Sequence, residues 1–344
     1  MMDHYVAVAL QTTCRAVNAY TPEEAREAMQ QTIAHVAEQV RATRQFVGPD
    51  VALVVLPEYF LTSYPRGESI SRWKELAAID MDGAEYEALG ELAQSNQIHL
   101  AGNVYERDPH FPELYFQCCF LIDASGSVVL RYRRLVSMFA PTPHDVWDAY
   151  LDRYGLDGVF PVANTELGRI GAVASEEILY PEISRMLALR GAEVLVHPTS
   201  ESGSPDLTPK DIAKRARALE NLVYVVSANS AGIVGSGIPT HSTDGMSKVI
   251  DYRGAVLARA GTGETMAANA ELDLPALRRY RHRPGMPNLL SRQRMELFAE
   301  GYANTVIHSA NGLKAGDGYS VPDRQFFLDQ QADALNRLKE EGII

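Results

Sequence analysis

The chain has few of the features that mark several common protein classes. Only three of its 344 residues are cysteine, and two of these, Cys118 and Cys119, are adjacent in an apolar run. This arrangement does not indicate a disulfide framework. The sequence has no CxxC pair and no two histidines at helical metal spacing, so a zinc site is not predicted. It also has no phosphate loop and no GxGxxG fingerprint.

Positive charge and long apolar runs are scarce as well. The net charge is -12, with six lysines against 26 arginines, which argues against binding to nucleic acid or to anionic membranes. No apolar run approaches the roughly 20 residues that span a bilayer. The N-terminal residues lack the basic and apolar regions of a signal peptide. We therefore expect a cytosolic protein.

What is present is the pattern of a layered α/β domain. An almost wholly apolar strand is predicted at 51–56, and such a strand is usually buried on both faces. A helix is predicted to open at Thr21 and Pro22, where Glu24 completes a capping box. Further strands alternate with helices, which predicts an α/β fold. In the second half the predicted strands are 169–174, 192–197 and 222–229, and the predicted helices are 181–190 and 211–221.

The composition changes after about residue 275. The tail is rich in arginine, proline and asparagine, and it ends in a charged helix predicted at 330–341. We predict a main domain over 1–275. The extension over 276–344 is expected to pack on a partner subunit or on the outer surface.

Glu58 is the first candidate for chemistry. It follows the predicted strand 51–56 at its carboxyl end, where sheet-based enzymes place their functional groups. A carboxylate there loses solvation and is suited to act as a general base. The aromatic residues Tyr59 and Tyr64 indicate a walled pocket beside it. A glutamate in solvent at a strand end is the alternative.

Arg134 and Ser175 also stand near the ends of predicted strands. Arg134 closes the segment Arg-Tyr-Arg-Arg, where a cation can hold a carboxylate or polarise an oxyanion; a solvated basic edge is the alternative. Ser175 lies at a strand-to-helix turn, where backbone N–H groups favour an anion; a helix cap is the alternative. The local sequence is not a Gly-x-Ser-x-Gly elbow.

Taken together, these segments resemble the nitrilase superfamily of carbon–nitrogen hydrolases. The resemblance runs in order along most of the main domain. It rests on Val-Val-Leu-Pro-Glu58, on Arg131-Tyr-Arg-Arg134, on Gly168-Arg-Ile-Gly-Ala-Val-Ala-Ser175 with Pro181-Glu182, and on the stretch 215–229.

The resemblance implies an αββα sandwich that usually pairs into a dimer and uses neither a metal nor a cofactor. In the family, a glutamate is the general base, a cysteine attacks an amide or nitrile carbon, and a lysine steadies the tetrahedral intermediate. Glu58, Ser175 and Arg134 occupy those positions. Asp145, in a predicted polar loop at 141–147, is matched to a second acid, with His144 as the alternative. The side chains expected to contact a small-molecule substrate are Tyr59, Tyr64, His144, Trp147, Glu176 and Tyr180.

Three of these positions depart from the family pattern. Ser175 replaces the cysteine, and a hydroxyl is much harder to ionise than a thiol; no histidine is placed by the sequence to assist it. Arg134 replaces the lysine, and a guanidinium keeps the charge but cannot release a proton at ordinary pH. No lysine lies near it in the sequence. Glu176 stands where family members usually carry an aromatic residue, and its charge would disfavour a thiolate.

The departures leave three hypotheses open. In the first, Ser175 is an engineered replacement that traps or inactivates a hydrolase of amides, N-carbamoyl compounds or nitriles. In the second, the chain is a natural relative with non-thiol chemistry, such as condensation, cyclisation or water-mediated hydrolysis. In the third, it is a non-catalytic member that binds a small molecule or a regulatory partner.

Overall fold

The computed structural model describes residues 2–202, 207–316 and 318–344, which form two large sheets flanked by helices. The strands are β1 (His4–Ala9), β2 (Cys14–Arg15), β3 (Val51–Val55), β4 (Ala78–Asp80), β5 (His99–Arg107), β6 (Phe116–Ile122), β7 (Val128–Arg133), β8 (Val162–Thr165), β9 (Gly168–Ala172), β10 (Val194–Pro198), β11 (Tyr224–Ala228), β12 (Ile233–Val234), β13 (Lys248–Ile250), β14 (Val256–Arg259), β15 (Asn269–Asp273), β16 (Lys314–Ala315) and β17 (Gly318–Tyr319). The helices are α1 (Pro22–Val47), α2 (Ile70–Ala77), α3 (Ala84–Asn96), α4 (Trp147–Val159), α5 (Pro181–Leu189), α6 (Pro209–Asn221), α7 (Leu274–His282), α8 (Glu296–Asn304) and α9 (Arg324–Glu340).

The two sheets have similar internal orders. The first runs β15-β1-β3-β5-β6-β7, with β4 paired to β5, and the second runs β14-β13-β11-β10-β9-β8. In the first sheet β1, β3 and β5 are parallel. In the second sheet β9, β10 and β11 are parallel. Because parallel strands end at the same edge, each sheet presents a row of carboxyl ends from which functional loops can start.

Side chains of the central strands point alternately to the two faces of each sheet, so neighbouring residues join different layers of the core. In β3, Leu53 and Val55 join a buried cluster that also contains Val196 of the second sheet. Val54, whose side chain points to the opposite face, joins a cluster with Met29 of α1. Helices α5 and α6 contribute to the core from the far side of the second sheet. The chain is therefore a helix–sheet–sheet–helix sandwich, which confirms the predicted αββα fold.

Local signals set several element ends correctly. The predicted capping box opens α1: the Thr21 hydroxyl accepts from the Glu24 backbone N–H at 3.2 Å, and the Glu24 carboxylate accepts from the Thr21 N–H at 2.8 Å.

The predicted polar loop at 141–147 is wrong in part. Residues Pro143–Val146 form a 3₁₀ helix that leads directly into α4. The apolar residues Trp147, Tyr150, Leu151 and Tyr154 recur at helical spacing along α4, and they pack into or against one buried cluster.

The tail after residue 275 is divided between packed and exposed parts. Leu313 is fully buried, and Phe327 and Ala334 of α9 are also buried. Every side chain of α8 is exposed. The final helix begins at Arg324, six residues before its predicted start at 330. Among the described residues, no helix combines the length and the apolar character needed to cross a membrane.

Candidate active site

The ends of strands from both sheets converge on one buried cluster. Glu58 lies just beyond β3, Arg134 directly follows β7, and Ser175 lies just beyond β9. The Glu58 backbone N–H donates to the carbonyl of Thr199, beyond β10, at 3.3 Å. This bond ties the edge of one sheet to the edge of the other. Glu58 is only 1% exposed and Ser175 only 3%, so any chemistry here is shielded from bulk water.

The Glu58 carboxylate is held by two polar side chains of the first sheet. Its Oε1 accepts from Gln117 Nε2 at 2.7 Å and from Arg134 Nη1 at 3.3 Å. Arg134 Nη1 also donates to Gln117 Oε1 at 2.8 Å, and Gln117 Nε2 donates to Asn103 Oδ1 at 3.0 Å. The carboxylate therefore has a fixed position and an adjacent positive charge.

Arg134 links Glu58 to the segment that contains Ser175. Its Nη2 forms an ion pair with Glu176, and its Nε donates to the Val136 carbonyl at 2.7 Å. Burial by itself would lower the pKa of Arg134, but the carboxylates of Glu58 and Glu176 raise it above its ordinary value. The guanidinium is thus a permanent cation between two carboxylates. Two departures from the family pattern, Arg134 and Glu176, are direct partners.

Ser175 has an unusual backbone and two polar contacts. Its φ of 47° lies in the left-handed region, which non-glycine residues seldom adopt outside functional or strained sites. Its Oγ accepts from Lys210 Nζ at 3.0 Å, and its carbonyl is 2.7 Å from His197 Nε2. The other ring nitrogen of His197 is 2.9 Å from the Ser227 hydroxyl. The histidine therefore orients the Ser175 backbone, whereas the lysine contacts its hydroxyl.

His197 is neutral in this arrangement. Burial lowers its pKa well below the ordinary value, and the charge of Lys214 adds to the effect. A neutral ring with hydrogen on Nε2 donates to the Ser175 carbonyl and accepts from Ser227 at Nδ1. Such a ring contributes a fixed contact and no charge.

Glu177 differs from its neighbour Glu176. It is fully buried and accepts from the Tyr132 hydroxyl at 2.7 Å and from the backbone N–H groups of Leu135 and Val136 at 2.7 and 2.9 Å. Burial raises the pKa of Glu177 to about 7, although the charge of Arg134 acts to lower it. Glu177 therefore holds the chain that follows Arg134.

Asp145, His144 and Trp147 line a cavity of about 380 Å³ together with Gln330 of α9. Leu135 and Val136, which directly follow Arg134, line the same cavity. Asp145 Oδ2 accepts from the backbone N–H and the hydroxyl of Thr142, both at 2.8 Å, and Oδ1 accepts from Gln330 at 3.2 Å. These contacts join the 3₁₀ helix to the C-terminal tail. The role of Asp145 as the second acid stays a prediction.

The three tyrosines predicted to contact substrate lie at different depths. The rings of Tyr59 and Tyr64 are 5.8 Å apart, and both residues are half-buried. Tyr59 also has a left-handed backbone, with a φ of 35°. Tyr180 is 42% exposed, at the start of α5. The pair beside Glu58 is therefore built into the fold, whereas Tyr180 faces solvent.

Sequence reasoning missed Gln117, His197 and Lys210. The first two carry no local motif. Lys210 had a signal in composition, because lysine is so rare in this chain. Of the six lysines in the sequence, three lie in α6 and β13, namely Lys210, Lys214 and Lys248. Their side chains are buried or half-buried, which is unusual for lysine.

Comparison with known proteins identifies the family of the chain. A model of the carbon-nitrogen hydrolase family matches residues 9–282. A probable nitrilase of Schizosaccharomyces pombe is 24% identical over 184 residues, which are 54% of this chain and 63% of that protein. The chain thus covers less than two thirds of that relative's length. The omega-amidase NIT3 of Saccharomyces cerevisiae is 24% identical over 253 residues, 73% of this chain and 84% of that protein.

A solved structure extends the likeness to three dimensions. A carbon-nitrogen hydrolase from Helicobacter pylori G27 aligns with a TM-score of 0.64 at 21% identity. The alignment covers 88% of this chain and 100% of that one. At this identity the likeness establishes the fold.

Proposed function

The chain belongs to the carbon-nitrogen hydrolase family, and from that membership we propose that it hydrolyses an amide-type C–N bond of a small molecule at the site of Glu58, Arg134 and Ser175. Amides and N-carbamoyl compounds are the proposed substrate class. Ser175 is the proposed nucleophile, and we propose that it is the natural residue and not a replacement for a thiol.

The observation that carries this proposal is the contact between the departures from the family pattern. Exchange of one cysteine for serine would leave a site otherwise built around a thiol and a lysine. Here Arg134 at the lysine position pairs with Glu176 at the aromatic position, and a different lysine, Lys210, contacts the Ser175 hydroxyl. These mutually consistent changes favour the natural-variant hypothesis over an engineered one.

The burial of the site supports a small substrate. Because Glu58 and Ser175 are both almost wholly buried, a large acyl group would have little access to them. In the first half-reaction, Ser175 Oγ bonds to the acyl carbon, the C–N bond breaks, and the nitrogen leaves as ammonia or an amine. Water then cleaves the acyl-serine ester to give a carboxylate and free Ser175. Glu58, fixed by Arg134 and Gln117, is the proposed base for this water.

Assembly and location belong to the proposal too. A homodimer or higher homo-oligomer in the cytosol remains our expectation, with the extension 276–344 at the subunit interface. The exposed apolar side chains of α8 support it, since Leu297 is 72% exposed and Phe298 is 51% exposed. Helices with such surfaces usually have a partner.

Ammonia release from a panel of small amides and N-carbamoyl compounds tests the function. We expect turnover by the unaltered chain, and Ser175→Ala should reduce it by at least about 10³-fold, since nucleophile removal has effects of this size or more. Ser95→Ala is the matched control, because this exposed residue of α3 lies outside the site.

Ser175→Cys separates the hypotheses. Turnover by the cysteine variant but none by the unaltered chain would support an inactivated thiol hydrolase and overturn our proposal. Binding of panel members without turnover by either form would favour the non-catalytic alternative. Mass spectrometry of the Glu58→Gln variant, in which the water step is slowed, should reveal the acyl group on Ser175.

A further inference from the structure

A lysine that the family resemblance does not assign to the site contacts the hydroxyl oxygen of Ser175. Lys210 lies in the first turn of α6, and its Nζ is 3.0 Å from Ser175 Oγ. The other two hydrogen bonds of Nζ go to Thr199 Oγ1 at 3.3 Å and to the Ser200 carbonyl at 3.1 Å. All three partners are uncharged oxygens. Among the residues that the structure describes, an ammonium here therefore has only neutral hydrogen-bond partners.

The next lysine on the same helix shows the opposite arrangement. Lys214, one turn further along α6, forms ion pairs with Glu201 and Asp211, and Asp211 also pairs with Lys248. Within the described ranges, no ion pair joins Lys210 to a carboxylate. The described carboxylates Glu201 and Asp211 are thus paired with Lys214 and Lys248, and no described carboxylate pairs with Lys210.

The surroundings of Lys210 favour its neutral form. Burial lowers the pKa of Lys210, and Lys214 adds to this effect, while Glu58, Glu201 and Glu176 act in the opposite direction and do not overcome it. The positive end of α6 further disfavours an ammonium in the first turn. His197, whose pKa is lowered well below the ordinary value by burial, adds no charge here.

Arg134 cannot take this role. Its guanidinium cannot release a proton at ordinary pH, and its donors are directed to Glu58, Gln117, Glu176 and the Val136 carbonyl. Glu58 in turn accepts from Gln117 and Arg134. Lys210 is the titratable side chain whose polar atom contacts Ser175 Oγ.

We propose that Lys210 is the catalytic base for Ser175, so that the site works as a serine–lysine pair. This inference rests on the proposed function and changes the route of the proton from that implied by the family resemblance. Neutral Nζ accepts the hydroxyl proton as Oγ bonds to the acyl carbon, and the carbonyl π pair moves to oxygen. When that pair returns, the C–N bond breaks and the ammonium gives its proton to the departing nitrogen. Serine–lysine pairs are an established form of nucleophile activation.

Two substitutions distinguish a base from a fixed charge. Lys210→Met removes the amine at similar length, and Lys210→Arg keeps the charge without a usable base. We expect both to lower kcat for amide hydrolysis by about 10² to 10⁴-fold, the usual contribution of general base catalysis. Lys74→Met, in the middle of α2, is the control for the same exchange away from the site, because Lys74 donates to the Pro112 carbonyl. Urea unfolding of each variant verifies that it is folded.

Covalent labelling measures the reactivity of the Ser175 hydroxyl and does not require a known substrate. A small alkyl fluorophosphonate should form a P–O bond to Ser175 Oγ with loss of fluoride, detected by intact-protein mass. The labelling rate of the unaltered chain should rise with pH until Lys210 is neutral and then level off. The rate should fall by at least about 10²-fold in both Lys210 variants, as loss of a general base does. Ser175→Cys should make amide hydrolysis depend less on Lys210, because a thiol ionises more easily.

The outcomes separate the two proposals. Full labelling and turnover in Lys210→Met, or retained activity in Lys210→Arg, would overturn the base assignment even if amides are hydrolysed. Labelling that requires Lys210, with no hydrolysis of any amide or N-carbamoyl compound, would overturn the proposed function and support the serine–lysine pair.

Discussion

Arg134 and Lys210 contact the same buried site, Arg134 from the end of β7 and Lys210 from α6. The two cations differ in the groups that bind them. Arg134, beyond β7, lies between the carboxylates of Glu58 and Glu176. Within the described part of the chain, Lys210 of α6 donates only to neutral oxygens, one of them Ser175 Oγ. A cation matched by carboxylates keeps its charge and fixes its neighbours, whereas an unmatched one can change protonation. The comparison therefore assigns positioning to the first cation and proton transfer to the second.

Removal of the matched cation should have the largest effect. In Arg134→Met, Glu58 and Glu176 lose the charge between them, so we expect the unfolding free energy to fall by about 3–5 kcal/mol, as for other broken buried pairs. Amide turnover should fall by roughly 10³-fold, because Glu58 loses its position. Urea unfolding and kinetics check both. In Arg134→Met/Glu176→Gln, part of the stability should return; no recovery would argue against the pairing.

Lys214 sharpens the comparison within a single helix. Because it is buried and paired with Glu201 and Asp211, Lys214→Met should lower the unfolding free energy by about 3–5 kcal/mol. Lys210→Met removes hydrogen bonds to neutral groups and should lower it by only about 1 kcal/mol. Urea unfolding of both variants measures the difference. Equal losses would mean that Lys210 has a charged partner in solution.

Glu177, which binds the segment that follows Arg134, should make the stability of the protein depend on pH. Its pKa is about 7 in the folded chain and 4.5 ordinarily, so the folded state binds its proton more tightly. The stabilisation is complete below about pH 4.5 and is lost as the pH rises through 7, a change of about 3 kcal/mol. Urea unfolding between pH 5 and 8 should show this fall in the unaltered chain but not in Glu177→Gln. Parallel profiles would contradict it.

Asp145 should give the smallest effect, because its hydrogen bonds to Thr142 and Gln330 involve neither cation. We expect Asp145→Asn to lower the unfolding free energy by about 1 kcal/mol and to reduce turnover by less than about tenfold, a barrier change under about 1.4 kcal/mol. Kinetics with an active amide measures this. A loss above about 10²-fold would instead support the second-acid role implied by the family resemblance.

Much of the fold was predictable because its signals are local. The capping box of α1 involves Thr21 and Glu24, three residues apart, and the apolar run of β3 reflects burial of every side chain in one short segment. The helix α4 was missed although Trp147, Tyr150, Leu151 and Tyr154 recur at helical spacing. Its buried partner Phe111 lies far away in the chain. The exposed α8 likewise has no local packing that its sequence could indicate.

The site was predictable only in part. Glu58, Arg134 and Ser175 follow strands and match segments of a known family, so each was identified as a candidate from its own stretch of sequence. Their partners were not, because the ion pair of Arg134 with Glu176 joins residues 42 apart and the contact of Lys210 with Ser175 joins residues 35 apart. No periodicity or motif links positions at such separations.

The sequence by itself determined the αββα architecture, the family, and the presence of a serine where the family pattern has a cysteine. The tertiary structure decided which cation is neutralised and which contacts the serine. The physical reason is that secondary structure depends on side chains a few residues apart, whereas protonation depends on every charge and dipole within several ångströms. Those neighbours are brought together only when the two sheets and α6 pack around Ser175.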